Sequence, residues 1–395
     1  MPSTSKRLLT LACALAAATA LPAPAAAAAE IPRPLSWIQT DTPPSETPYS
    51  FGSVEAIADD DVWAAGGGRG TALAAHWDGT AWTTTPLPAE LWYIDDIRAR
   101  ATDDVWALGT GPGGGHVMHW NGTAWADLPV PLPDPGEYGE VYMADLEPLA
   151  NGDVWATGLV NREIKDERYS SGFTLHLTGG AWTLEELPIP DGATDVEYTG
   201  LAVTRSGTVY TTGVKYVPEP GTGWSTAEPW LQRRDAAQWT DLAFPALPGD
   251  LDPGHVGGVA LDRRGRGFWI AGTAWTDDGT PRPYLRHYDG RGTWIDADLE
   301  LDEGLGSDLA VSTAGDVLVV ANRDPFGETG DVLIHFNGFF PIHYEAPENK
   351  DLATYLTADY IPRTDRLWLV GSTRQPSGRE GTGLAAWSEV PGRSW

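Results

Sequence analysis

Cysteine is almost absent from this chain of 395 residues, and the single copy is Cys13. It lies in an N-terminal segment with the pattern of a secretory signal, in which Lys6 and Arg7 precede an apolar stretch and small residues near Ala29. We therefore expect residues 1–29 to be removed and the mature protein to be extracellular. A lipoprotein attached through Cys13 is the less favoured alternative, because most of the apolar run follows this cysteine. The mature chain, from residue 30, cannot form a disulfide.

Basic residues are also scarce. The chain has 26 Lys and Arg against 55 Asp and Glu, and loss of the signal leaves 24 basic residues and a net charge of −31. So acidic a surface repels phosphate backbones and anionic lipid headgroups, which disfavours nucleic acid and membrane partners. No apolar run of transmembrane length follows the signal, so we expect no membrane insertion. We expect a monomer.

Motifs for catalysis are lacking as well. The sequence contains no HExxH, no GxSxG and no Walker loop, and its eight histidines show no spacing typical of metal ligands. We therefore assign no catalytic residue, and whether the protein is an enzyme stays open, with a non-catalytic role preferred.

What the chain has instead is a repeat of about 50 residues. The segment "DDVWAAG" at 60–66 returns in six related copies, at 103–109, 152–158, 207–213, 266–272, 315–321 and 365–371. Each period contains four short apolar or alternating segments separated by turn signals, the pattern of four β-strands. Four-stranded antiparallel units repeated radially form a β-propeller, so the sequence predicts an all-β protein with seven blades in a single domain spanning residues 30–395.

The seventh copy ends without a complete fourth strand, and the missing strand is predicted at the other end of the chain. Residues 35–44, "LSWIQTDTPP", match "TAWTTTPLPA" at 80–89 in their tryptophan and in their proline ending. We expect residues 35–44 to supply the outer strand of blade seven and so to close the ring.

The segment "VWAAGG…AAHWDGTAWTTTPLP" at 62–88 resembles the kelch repeat, which also occurs in the central domain of galactose oxidase. The resemblance covers nearly the whole mature chain and implies a seven-bladed propeller. Secreted bacterial propellers with "DVWAVG" and "HWDGTSW"-like repeats are more similar still, and for that group the resemblance implies a fold without a shared activity. The tyrosine–cysteine crosslink and copper of galactose oxidase cannot transfer to a mature chain without cysteine.

Fourteen of the nineteen tryptophans fall in the repeat register, and we expect these to pack between blades. The repeated Asp before the second strand, as in Asp61 and Asp104, is expected to accept backbone N–H groups of the preceding turn. The histidines of the third strands, His76 and His119, are expected to be structural.

The five tryptophans outside the register lie in long loops or blade joins. In an up-and-down blade, the loop between the second and third strands emerges on the same face of the disc as the join to the next blade. Long loops on a rigid scaffold often carry function. We therefore predict a ligand face beside acidic residues such as Asp277 and Asp278, with the following side chains: Trp92, Tyr138, Tyr169, Trp224, His255 and Trp275. Aromatic rings beside carboxylates suit an extracellular glycan, and the same face could bind a protein; the alternative interpretation is that these aromatics only pack down their own loops.

A second candidate site is the central channel. Asp96, Asp145 and Asp308 occupy equivalent places in first strands, which line the channel of a propeller. A ring of carboxylates there could hold calcium or supply an acid and a base for a polysaccharide hydrolase or lyase. Solvated channel walls are the alternative, and we expect no other cofactor.

Overall fold

The fold of the computed structural model is all-β, and within its described part no helix occurs. The described residues are 34–88, 90–164, 167–222, 224–235, 238–249, 251–322, 331–347, 353–374 and 380–390, so residues 1–33 and Trp395 lie outside them. Seven sheets of four antiparallel strands form the blades of a ring, as the repeat predicts. The described residues contain no helix long and apolar enough to span a membrane.

Each blade runs outward from the axis in chain order. The first strands surround the axis: β2 (Ser50–Ala58), β6 (Tyr93–Ala101), β10 (Glu140–Pro148), β14 (Asp195–Val203), β18 (Asp252–Leu261), β22 (Leu305–Val311) and β26 (Ala353–Tyr360). The second strands carry the repeated aromatic: β3 (Asp61–Gly68), β7 (Asp104–Gly111), β11 (Val154–Ile164), β15 (Val209–Pro218), β19 (Phe268–Trp275), β23 (Val317–Asn322) and β27 (Arg366–Arg374).

The third strands lie outside the second strands, and loops on one face of the disc join the two. The third strands are β4 (Thr71–Trp77), β8 (Gly114–Trp120), β12 (Glu167–Thr178), β16 (Ser225–Asp235), β20 (Pro281–Tyr288), β24 (Asp331–Phe336) and β28 (Glu380–Glu389). The fourth strands form the outer edge: β5 (Trp82–Thr84), β9 (Trp125–Leu128), β13 (Ala181–Glu186), β17 (Gln238–Leu242), β21 (Trp294–Ala297), β25 (Pro341–Glu345) and β1 (Ile38–Gln39).

The N-terminal strand closes the ring. β1 pairs with β28 through Ile38 and Trp387 and completes blade seven, as predicted from residues 35–44. Thr40 and Thr42 extend the contact, because their hydroxyls donate to the backbone carbonyls of Ala385 and Gly383. The two ends of the domain are thus joined in one sheet, which leaves no unpaired blade edge at the closure.

Repeat tryptophans form the contacts between blades. Trp63 of blade one is 1% exposed and meets Trp120 and Trp125 of blade two at ring distances of 5.2 and 5.4 Å. Trp77 and Trp82 meet Trp368 of blade seven in the same way, each at 5.6 Å. The expectation that these rings pack between blades is confirmed.

The turn between third and fourth strands is built as the Asp-Gly and Asn-Gly pairs predict. Gly79 and Gly122 have φ values of 89° and 86°, which a side chain at Cβ would oppose. Asp78 Oδ1 accepts hydrogen bonds from the Thr80 hydroxyl, at 2.7 Å, and from two backbone N–H groups. These bonds lower the pKa of Asp78 to about 2. The segment at 76–82 is therefore a structural turn between the third and fourth strands of blade one.

The acidic residue that opens the second strand has a different partner from the one expected. Asp61 Oδ1 lies 2.8 Å from His76 Nε2, and Asp104 Oδ1 lies 2.9 Å from His119 Nε2. Each imidazole also packs on the repeat tryptophan, with ring centroids 4.6 Å apart for Trp63 and His76. The two histidines are structural, as predicted, and they explain the acidic residue better than the turn does.

Candidate functional site

The channel wall is built from two rings of residues, because every first strand contains a bulge at the same place. The bulge sets which side chains face the axis. The upper ring follows the bulge directly: Ser53, Asp96, Asp145, Gly200, Gly258, Asp308 and Thr357. The lower ring lies two residues further along each first strand, opposite the second-strand position that Trp63 holds in blade one. Its members are Glu55, Arg98, Glu147, Ala202, Ala260, Ala310 and Asp359. The rings line a cavity of about 640 Å³.

The predicted equivalence of Asp96, Asp145 and Asp308 is confirmed by this register. Their carboxylates connect neighbouring blades. Asp96 Oδ2 accepts the Leu146 N–H of blade three at 3.1 Å, and Asp145 Oδ2 accepts the Leu201 N–H of blade four at 2.7 Å.

The same connection recurs where the ring closes. Asp308 Oδ2 accepts the Ala358 N–H at 3.1 Å, and Asp359 Oδ2 accepts the Ala56 N–H of blade one at 2.8 Å. In blade one, Ser53 takes the place of the carboxylate, and its hydroxyl oxygen accepts the Ile97 N–H. Asp96 and Asp145 are thus buried structural links, and neither is a freely solvated wall residue.

One cation lies among these acids. The Arg98 guanidinium is 2.7 Å from Asp96 Oδ1 and 3.7 Å from Asp145 Oδ1. Desolvation opposes its charge, but Asp96, Asp145 and Glu55 outweigh this effect and raise the pKa of Arg98. Sequence analysis missed Arg98, although it occupies the lower-ring position two residues after Asp96.

Burial raises the pKa of several carboxyls that line the channel. The pKa of Glu147 rises to about 7, and that of Asp359 rises to about 6. At the upper end of the channel, burial raises the pKa of Asp95 to about 7, although the Thr110 hydroxyl donates to it at 2.9 Å. These groups exchange protons near neutral pH, which is the range useful for acid–base chemistry.

No group of three or more Asp, Glu, His or Cys among the described residues is arranged to hold a metal ion. The lone pairs of Asp96, Asp145 and Asp308 that a calcium ion would need face backbone N–H groups. Calcium at these three residues stays a prediction.

The predicted ligand face carries exposed aromatic rings. Trp92 lies in the join between blades one and two, and Tyr138 lies in the join between blades two and three. Trp224 lies between β15 and β16, and Trp275 ends β19. Their exposed fractions are 47% for Trp92, 72% for Tyr138, 77% for Trp224 and 40% for Trp275. By the up-and-down topology all four lie on one face of the disc, which we call the upper face.

The remaining two predicted residues differ from these four. His255 is exposed near the upper-face end of β18. Partial desolvation by the surrounding atoms lowers the pKa of His255, and the negative charge of Glu197 opposes this shift. Tyr169 is half-buried in β12, where it pairs with Arg162 of the extended β11. Asp277 and Asp278 lie in the turn after Trp275, and the Thr276 hydroxyl donates to Asp278.

Two acid–tyrosine pairs at the channel mouth had no signal in the sequence. The Tyr142 hydroxyl donates to Glu140 in blade three, and the Tyr216 hydroxyl donates to Glu197 in blade four at 3.0 Å. Burial raises the pKa of Tyr216 to about 12, so its hydroxyl stays protonated near neutral pH. The only available hint was the alternation of acidic and aromatic residues in "GEVYM" at 139–143.

Comparison with known proteins defines the class at the level of fold. A catalytically inactive virginiamycin B lyase from Staphylococcus aureus, solved with quinupristin, is 9% identical, with a TM-score of 0.55 over 90% of this chain and 100% of that one. A protein of unknown function from Dyadobacter fermentans is 11% identical, with a TM-score of 0.53 over 91% and 99%.

A polysaccharide lyase of family PL25, an ulvan lyase bound to -[GlcA(1-4)Rha3S]-, is 13% identical, with a TM-score of 0.54 over 86% of this chain and 94% of that one. No protein-family model matches the sequence, and the search of curated proteins returns no match. The chain is a seven-bladed β-propeller, and these similarities show its fold alone.

Proposed function

We propose that this protein is a secreted β-propeller that binds an extracellular glycan on its upper face without chemically changing it. The observation that supports the proposal is the separation of two sets of aromatic rings. Repeat tryptophans such as Trp63 are buried between blades, whereas Trp92, Tyr138, Trp224 and Trp275 expose their rings on one face. Flat exposed rings beside carboxylates suit stacking against sugar rings and hydrogen bonding to sugar hydroxyls.

The proposal includes kinship with secreted kelch-like propellers, supported by the repeat at residues 62–88. It also includes a monomer exported by the signal at residues 1–29. The sugar chain bound in the structure of the PL25 lyase makes glycans the first class of ligand to test, because that protein has a similar fold.

The experiment compares two pairs of exposed aromatics on opposite faces. Trp224→Ala with Trp275→Ala removes rings from the upper face, and Phe339→Ala with Phe340→Ala removes rings that are 79% and 54% exposed in the turn before β25. That turn joins a third to a fourth strand and lies on the opposite face. We expect the first variant to lose binding on an array of extracellular polysaccharides and the second to bind like the parent. Equal binding by all three proteins, at equal melting temperatures, would reject Trp224 and Trp275 as the rings that contact the glycan.

A polysaccharide hydrolase or lyase is the second candidate. It is favoured by three groups of shifted pKa toward the upper-face ends of their blades, Asp95, Tyr216 and His255. His255 of lowered pKa is a candidate base and protonated Tyr216 a candidate acid. Incubation with the same polysaccharides separates the two functions: release of reducing ends or unsaturated sugars indicates an enzyme, and retention of intact polysaccharide indicates a binding protein.

A further inference from the structure

Trp92 stands between two cavities on the upper face. The first, of about 450 Å³, lies between blades one and two, and its lining includes Thr71, Leu87, Glu90 and Trp92. The second, of about 370 Å³, lies between blades two and three, and Trp92 lines it together with Leu132, Glu140 and Tyr142. Since Trp92 lines both cavities, the two cavities adjoin at this residue, and we call them together the groove.

The backbone holds Trp92 in place independently of any ligand. Its N–H donates to the Thr110 carbonyl at 2.8 Å, and the preceding Leu91 is 4% exposed in the core. The Leu91 carbonyl accepts the Ala72 N–H of blade one at 3.0 Å. Nearly half of the Trp92 side chain is nevertheless exposed. A fixed backbone with an exposed ring is a preorganised contact, so little ordering entropy is lost on binding.

Short turns leave this part of the upper face open. β3 and β4 are joined by Arg69 and Gly70, whereas the loop between β15 and β16 spans residues 219–224. Gly70 and Gly113 have φ values of 79° and 97°, and no atom lies within 4 Å of the place of a Cβ on either glycine. Gly70 and Gly113 therefore leave open space beside the two cavities, next to the exposed Arg69 of the first turn.

The charges in the groove restrict the class of ligand. The described residues that line the two cavities include the acids Glu90 and Glu140 and no Lys, Arg or His. Glu140 already accepts a hydrogen bond from Tyr142. A sugar chain bearing carboxylates or sulfates would face repulsion with no compensating cation. A neutral chain would stack on Trp92 and donate its hydroxyls to the carboxylates.

We propose that Trp92 separates two subsites of one groove that binds a linear neutral glycan across blades one to three. This inference rests on the proposed function and adds the ligand class and the position of the site. Two cavities that adjoin at Trp92 suit a ligand with at least one sugar in each of them.

The test uses neutral β-1,4-linked glucose oligosaccharides of two to six units, with galacturonate oligosaccharides of the same lengths as the anionic comparison. Binding to the full mature chain is measured by calorimetry and by tryptophan fluorescence. We expect affinity for the neutral series to rise with length, and the galacturonates to bind more weakly at every length. Trp92→Ala should lower the affinity for the longest neutral chain by about tenfold or more, while Trp92→Phe keeps most of it.

Thr71→Trp fills only the first cavity, at an exposed position. We expect it to reduce the affinity for long chains to that for short ones, with an unchanged melting temperature. The inference is overturned if Trp92→Ala binds the neutral series like the parent, or if galacturonates bind better. If the parent then still binds through Trp224 and Trp275, the proposed function survives.

Tetralysine is a third ligand, included as a cationic peptide. If it binds in the groove and no glycan from the array or the oligosaccharide series does, both the inference and the glycan function are rejected in favour of a peptide-binding groove.

Discussion

Two parts of the central channel are built differently from the same repeat. We call blades one, two, three, six and seven the charged half and blades four and five the glycine half. At the upper-ring position, blades one, two, three and six carry Ser or Asp whose oxygens accept an N–H of the next blade, and blade seven makes a similar link from Asp359 of the lower ring. Blades four and five have Gly200 and Gly258 at the equivalent position and Ala202 and Ala260 in the lower ring. In the charged half a side-chain oxygen accepts an N–H of the next blade, whereas in the glycine half a glycine packs closely against the next blade.

Close packing leaves no space for a side chain in the glycine half. A Cβ on Gly200 would lie 2.4 Å from Val259 Cγ1 of the next blade, and one on Gly258 would lie 3.2 Å from Asp308 Oδ1. The same repeat position can therefore connect neighbouring blades by hydrogen bonds or by close packing. In the charged half, the Arg98 guanidinium lies beside Asp96 and Asp145 and offsets part of their negative charge.

The largest expected effect is in the charged half. Arg98→Met removes the cation beside Asp96 and Asp145, so we expect a loss of about 3 kcal/mol in the free energy of unfolding, the lower end for a buried pair because the Arg98 side chain is 35% exposed. Urea denaturation at pH 7 measures it. Arg264→Met, at an exposed position, is the control and should change the free energy little. A loss below about 1 kcal/mol for Arg98→Met would mean that the acids accommodate one another by binding protons.

A smaller effect is expected in the glycine half. Gly200→Ala forces a methyl group against Val259, and overpacking of this kind costs roughly 1–3 kcal/mol. The free energy of unfolding is compared with that of a double variant that also carries Val259→Ala. If close packing is the cause, the alanine at 200 should cost much less in the Val259→Ala background. An equal cost in both backgrounds would point to backbone strain instead.

A further expected effect is the pH dependence of the charged half. Glu147, Asp95 and Asp359 have pKa values raised to about 7, 7 and 6, so the folded protein binds their protons more tightly than the unfolded chain does. Their contribution to stability is complete below the unfolded pKa, near pH 4, and is lost as the pH rises to about 7.

We therefore expect the free energy of unfolding to fall across this interval, as measured by urea denaturation at several pH values. Glu147→Gln should reduce the slope. Asp78, whose pKa is lowered to about 2, affects stability only at lower pH, so Asp78→Asn should leave the slope unchanged. A slope that Glu147→Gln does not alter would assign the pH dependence to other carboxyls.

The candidate site was only partly predictable. The exposed rings of Trp92, Tyr138, Trp224 and Trp275 could be found because these residues lie outside the repeat register, where burial between blades is not required. Tyr169 fits that rule and is nevertheless half-buried, because β11 and β12 extend far beyond the usual hairpin and pair beside it. The acid–tyrosine pairs could not be found, since Glu197 and Tyr216 meet only across two paired strands.

The sequence by itself determined the number of blades, the closing strand and the burial of the repeat tryptophans. Each follows from a local pattern of apolar residues and turns that recurs about every 50 residues. Tertiary structure decided which N–H groups Asp96, Asp145 and Asp308 bind, where Arg98 finds its partners, and that Trp92 lines two cavities. The physical reason is that these contacts join neighbouring blades, so residues some 50 positions apart meet only after both blades have folded. Which oxygen then faces which N–H depends on bulges and close packing that no single repeat contains.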